Sequence, residues 1–294
     1  TNTPWRLYCF GGPQAVGATM LIGSLQAGNI YAADVCGTTT MAGIAPSLIG
    51  IVVWIIATVI LLKVMLNKSV AMGEGFLTDG AAIKASASSA QLPEEKLPNF
   101  WLSILPLVLV IVLSAGFKVP VIPALLYSCI LAILLFWKNI SKTLKSTLAN
   151  GITSCFGAVF TVSATFAMGS VIKILPAFAH IMDAFNSLPG LLGGVGLTIV
   201  SAFIMASASS NIAAFGSTIV ESMASAGIEN GIAHRLMTIN GFSCMGPHNA
   251  GIANACAVTK IEYKRCLTVY MLATWVPGAC AAIVTVALAA LGVF

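Results

Sequence analysis

The chain has 294 residues, of which 58% are hydrophobic and 8% charged, and its mean hydropathy is +0.98. A soluble domain carries about 25% charged residues, so a water-soluble surface is excluded at this size and lipid is the expected solvent. The net charge of +5 comes from lysines clustered between apolar runs. That is topology information, and no stretch interleaves basic with aromatic residues as a nucleic-acid surface would.

Taken in order, the chain opens at Thr1 with almost nothing before a Gly/Pro break, Cys9-Phe10-Gly11-Gly12-Pro13-Gln14-Ala15-Val16-Gly17. A polar stretch containing Asp34 and ending in Gly37-Thr38-Thr39-Thr40 follows, then a charge-free run from Ile44 to Leu62. That run is long enough to span a bilayer core, which takes about 20 apolar residues. Residues 67–99 carry Lys68, Glu74, Asp79, Lys84 and Pro93-Glu94-Glu95-Lys96, and are expected to be a cytoplasmic linker. Two spans are predicted at 100–117 and 119–137. After them, Lys138, Lys142 and Lys145 with no acid between them mark the cytoplasmic side. Residues 146–172 are charge-free but rich in Gly, Ser and Thr, the pattern of a helix packed against others. Residues 173–189 are expected at the membrane interface, with His180 and Asp183 in the headgroups.

The charge-free run 184–220 is too long for one span and is interrupted by Ser207-Ala208-Ser209-Ser210-Asn211. This predicts a broken or re-entrant segment, whose hydroxyls, amide and freed backbone N–H groups could hold a carboxylate. His234 and Arg235 are expected near one membrane surface, Arg235 with a weaker role in attracting an anion. The run 236–259 is again uncharged and contains a second break, Cys244-Met245-Gly246-Pro247-His248-Asn249-Ala250-Gly251. At membrane depth such a kink survives where it lines a cavity or packs on protein. His248 can exchange a proton near neutral pH and Asn249 offers both donor and acceptor. A last span follows from Cys266. The eight cysteines show no metal-ligand or CxxC spacing, and neither metal nor cofactor is expected.

The two Gly/Pro breaks share Pro-x-x-x-Gly after a Gly, and the spans following them are predicted to insert in opposite senses. That predicts an all-α polytopic membrane protein with inverted-topology repeats. The division is 1–66 (end of a first repeat), 67–99 (linker) and 100–294 (second repeat), with most of the first repeat expected upstream of Thr1. The expected substrate site is Ser207, Ser209, Ser210, Asn211, His248 and Asn249, with His248 as proton-coupling candidate and Asp34, Arg235, Pro13 and Gln14 as weaker members. Two other function classes fit less well. A serine hydrolase with Ser209 as nucleophile and His248 as base lacks an acidic partner and a GxSxG elbow, and a channel or non-transporting scaffold lacks a filter motif.

Several of these segments resemble the gluconate permease family of ion-coupled organic-anion transporters. They are Leu97-Pro98-Asn99-Phe100, Ser207-Ala208-Ser209, Ala233-His234-Arg235 and, above all, Pro247-His248-Asn249 with Thr259 and the basic turn after it. The resemblance covers about Leu97 to Phe294, with 37–42 looking like the end of the family's first half. It implies a symporter for small hydroxylated carboxylates, driven by protons rather than Na⁺ across a bacterial inner membrane, with lipid as its other partner and homo-oligomers allowed. Ser210-Asn211 stand where many members have Gly-Gly, and Cys244 where many have Asp. Both departures fall in the expected site, so the resemblance points to a substrate class and not to gluconate itself.

Overall fold

The computed structural model describes residues 2–11, 20–89, 98–117, 119–188, 190–243 and 246–294, and it is all-helical among them. The first break, with Pro13 and Gln14, lies outside the described residues, as does Cys244. The chain divides into two units, Ser88–Val162 and the rest (Thr1–Ala87 with Ser163–Phe294).

In the larger unit the helices are α1 (Trp5–Gly11), α2 (Ala27–Val35), α3 (Ile44–Ala71) and α4 (Phe76–Ser89). The smaller unit holds α5 (Phe100–Ile111, extended by a π-turn over Val112–Gly116), α6 (Val121–Leu135) and the single turn α7 (Trp137–Ile140). The long α8 (Leu144–Lys173) contains the unit boundary. The larger unit then continues with α9 (Pro176–Asn186), α10 (Gly190–Met205), α11 (Ala208–Ser225), α12 (Asn230–Ser243), α13 (Ala250–Thr259) and α14 (Tyr263–Ala290).

Among the described residues two helices, α3 and α14, are long and apolar enough to cross a membrane, or up to three spans if the bent pair Ala167–Lys173 and Pro176–Phe185 counts as one. Each of the first two has 28 residues, or about 42 Å at 1.5 Å per residue, against a hydrocarbon core of about 30 Å. They pack antiparallel. Gly50, early in α3, lies against Thr285 late in α14, while Glu74, just past α3, pairs with Arg265 at the start of α14. The bent pair turns by 77° where Pro176, with no N–H to lose, opens α9.

Where a linker was expected, α3 runs on to Ala71 and α4 fills Phe76–Ser89. The Asn2 side chain accepts from Phe76 N–H at 3.0 Å and so caps α4 from the far end of the chain. In the smaller unit, α5 and α6 are shorter than the spans expected there. They are pinned by the Ser128 hydroxyl, which donates to Pro106 O at 2.5 Å.

The larger unit has two apolar cores. One joins α1, α3 and α14 through Phe10, Trp54, Tyr270 and Ala281; the other joins α10, α11 and α12 through Leu197, Ile212, Phe215 and Leu236. In the second, Gly194 allows the helices to approach closely, since a Cβ there would meet Met223 Cγ at 2.5 Å.

Candidate functional site

Two helix breaks meet in the larger unit. The first separates α10 from α11 by only Ala206 and Ser207. Ala206 adopts φ +50°, the left-handed region that L-residues rarely occupy, and Ser207 returns to extended backbone at φ −153°. That combination stops one helix and starts the next within two residues. Ser207 then caps α11, its Oγ accepting from Ser210 N–H at 3.3 Å. The N–H groups of Ala208 and Ser209, in the same first turn, take no partner among the described residues. Ser209 is half-buried, whereas Ser210 and Asn211 are buried. The Asn211 amide donates to Thr198 O at 3.3 Å, and its Oδ1 has no partner among the described residues.

The second break, after α12, supplies the groups that close the first. The Asn249 amide donates to Ala206 O, while its Oδ1 caps α13 by accepting from Gly251 N–H at 2.7 Å. His248 Nε2 lies 3.0 Å from Ile204 O. A carbonyl can only accept, so Nε2 carries the proton, and Nδ1 of a neutral His248 is an acceptor with no partner among the described residues. The imidazole is exposed, with the Phe203 ring edge-on at 6.5 Å. Tyr263, at the start of α14, donates its hydroxyl to Pro247 O at 2.5 Å and ties the break to the spanning helix. Ile204 O at the end of α10 and Ala206 O just past it are therefore satisfied by side chains from about forty residues downstream.

The break carrying Ser207, Ser209, Ser210 and Asn211 is thus joined to the one carrying His248 and Asn249 through Ile204 O and Ala206 O. Asp34 is not among them; it lies exposed on α2. Arg235 stands apart, sharing a network with His234, and both residues are fully buried in the protein at 0% exposure. Their environment follows from Asn29. Its Nδ2 donates to Ser24 O at 2.7 Å and Thr40 O at 3.2 Å, which turns Oδ1 toward α12. There Oδ1 accepts from His234 Nε2 at 2.7 Å and from Arg235 Nη1 at 2.8 Å. With Nε2 protonated, His234 Nδ1 is left to accept the Thr38 hydroxyl at 2.9 Å. Arg235 completes the network through Nε to Ala42 O and Nη2 to Thr40 O, both at 2.6 Å. One histidine and one arginine therefore fix the 38–42 loop and α2 onto α12. Nothing in the local sequence around residue 234 could reveal partners some two hundred residues upstream.

A second cluster that sequence reading missed lies where α1, the α3–α4 turn and α14 converge. Arg6 pairs with Glu74 and, at 2.7 Å, with Asp79; Arg265 pairs with Asp79 at 2.6 Å and Glu74 at 3.2 Å. Asp79 is only 1% exposed through its side chain. Its two arginine partners answer a charge that would otherwise be costly to bury. The hydrogen bond from Arg6 holds the Glu74 carboxyl below its ordinary range, helped by the Ser69 hydroxyl and by the charges of both arginines, against a smaller opposing effect of burial.

Comparison with protein-family models, curated proteins and solved structures finds no match.

Proposed function

We propose that the chain is a secondary transporter for small hydroxylated carboxylates, gluconate-like sugar acids or shorter hydroxy acids, moved with protons across a bacterial inner membrane. The observation that carries the reading is the junction of the two breaks. Ser209 offers a hydroxyl and, beside Ala208, an N–H with no partner among the described residues, while His248 stands exposed on the second break with one ring nitrogen unpartnered among those residues. A carboxylate can accept from the N-terminal turn of α11 without a full positive charge being buried for it. A substrate hydroxyl can donate to His248 Nδ1, the same nitrogen that would take up the coupled proton. Asn249 contributes differently: both ends of its amide are engaged by backbone, so it positions the imidazole instead of binding substrate. The antiparallel packing of α3 and α14, each following a Gly/Pro break, supports an inverted-repeat arrangement in a multi-pass protein.

The test is uptake of labelled gluconate and a panel of shorter hydroxy acids into proteoliposomes, with an imposed pH gradient and, in parallel, a sodium gradient. Proton-driven uptake that falls at least tenfold in the double variant His248→Ala, Asn249→Ala is expected. Unchanged uptake in that variant would remove the site, sodium-driven uptake would replace the coupling ion, and ohmic single-channel currents would replace the carrier with a channel.

A further inference from the structure

A separate cavity of about 340 Å³ opens beside the four-charge cluster, and nothing in the transport reading uses it. Its polar wall carries Arg6, Lys68 and Arg265, with the Ser69 hydroxyl between them. Its other wall is apolar, formed by Met65 and Met72 of α3 and by Val269 and Leu272 of α14. Glu74 and Asp79 engage both arginines but not the whole of them. Arg265 Nη1 and the exposed Lys68 ammonium take no partner among the described residues. Three cations against two carboxylates leave one unit of positive charge directed into a space that is otherwise greasy.

The depth of this cavity names the occupant. On α3 the charge-free stretch ends at Leu62, and Lys68 follows within two turns; on α14 the charge-free stretch begins immediately after Arg265. If those uncharged stretches fill the hydrocarbon core, the cations stand in the headgroup layer while Val269 and Leu272 extend down into the acyl region. A free anion would find a half-apolar site wasteful, and a neutral lipid would leave the surplus charge unanswered. We infer that this cavity holds one anionic phospholipid, its phosphate between Lys68 and Arg265 and the upper part of an acyl chain against Met65, Val269 and Leu272. The inference rests on α3 and α14 crossing a bilayer and is independent of whether the protein transports anything.

The experiment uses the full chain in nanodiscs of equimolar phosphatidylglycerol and phosphatidylcholine, with retained lipids counted by native mass spectrometry after release. One retained phosphatidylglycerol per chain, in clear excess over phosphatidylcholine, is the expected result. Lys68→Gln removes one basic group at the membrane surface and should lower that preference by about fivefold. Thr268→Trp, placed on the exposed rim of the cavity, should exclude the lipid while leaving the charges intact. Lys63→Gln, on the same helix but outside the cavity, should change nothing. Helical circular dichroism equal to the parent's shows that each variant is folded. Equal retention of the two lipids by the parent chain would overturn the proposal, as would unchanged preference in both Lys68→Gln and Thr268→Trp. Displacement of the retained lipid by millimolar inorganic phosphate would overturn it too, because it would mark a site for free anions.

Discussion

Replacing Arg235 by methionine isolates the energetics of the buried network, because Met keeps most of the volume while removing the charge and the donors. Three hydrogen bonds described above disappear, but their three acceptors are not equally stranded. Thr40 O still accepts from Asn29 Nδ2, and Asn29 Oδ1 still accepts from His234 Nε2. Ala42 O alone loses the one side-chain donor it has among the described residues. One orphaned carbonyl, here part-buried, costs up to about 1–3 kcal/mol, and the two shared bonds add about 1 kcal/mol each. Relief from burying a guanidinium offsets part of this. The expected net loss for Arg235→Met is about 2–4 kcal/mol, measured by denaturant titration of the detergent-solubilised chain and followed by circular dichroism. Arg235→Lys should be the more damaging change. An ammonium keeps the buried charge but cannot reproduce the planar fork that reaches Ala42 O, Thr40 O and Asn29 Oδ1 together. A methionine variant within 1 kcal/mol of the parent, or a lysine variant equal to it, would refute this account of the network.

Two further outcomes follow from the geometry. Gly43 and Gly37 both have positive φ, +62° and +60°, but a Cβ on Gly43 would run into Arg235 Cγ and Gly231 O whereas one on Gly37 meets nothing within 4 Å. Gly37→Ala should therefore cost only the left-handed penalty of about 1–2 kcal/mol, and Gly43→Ala should exceed it by at least about 1 kcal/mol for the steric conflict; equal costs in the same titration would contradict the tight packing of the loop on α12. The second concerns acid. Because the folded-state pKa of Glu74 lies below its unfolded value of about 4.3, the unfolded chain binds the proton first as pH falls. The stabilisation is complete above that unfolded value and is lost as pH drops through the folded one. Stability measured from pH 6 downward should fall less steeply in Glu74→Gln than in the parent, and superimposable acid limbs would count against the Arg6–Glu74 pair.

The features that were legible before the fold was known are those written in local composition. The charge-free stretch from Ile44 and the one from Cys266 announce α3 and α14, and the Ser-rich interruption at 207–211 announces the break between α10 and α11. Helix ends were harder. The charge-free stretch ends before Lys63, but lysine is a good helix former, and the helix itself runs on to Ala71. The helix at 76–89 is hidden in a polar stretch, and its cap comes from Asn2, which no local window contains. The partners of His234 and Arg235 were hidden for the same reason. A charged pair beside an apolar run shows nothing of Asn29, Thr38, Thr40 and Ala42 folding back to receive it. Long-range polar pairing, unlike periodicity, leaves no spacing signal in the chain.

The bonds from the 246–251 segment to Ile204 and Ala206 have a mechanical corollary. Hydrogen bonds fail within a fraction of an ångström of stretch, so neither break can swing aside alone without stranding Ile204 O and Ala206 O. The pair must ride as a single clamp, and in the transport cycle proposed above any alternation would have to be generated by its neighbours sliding past it.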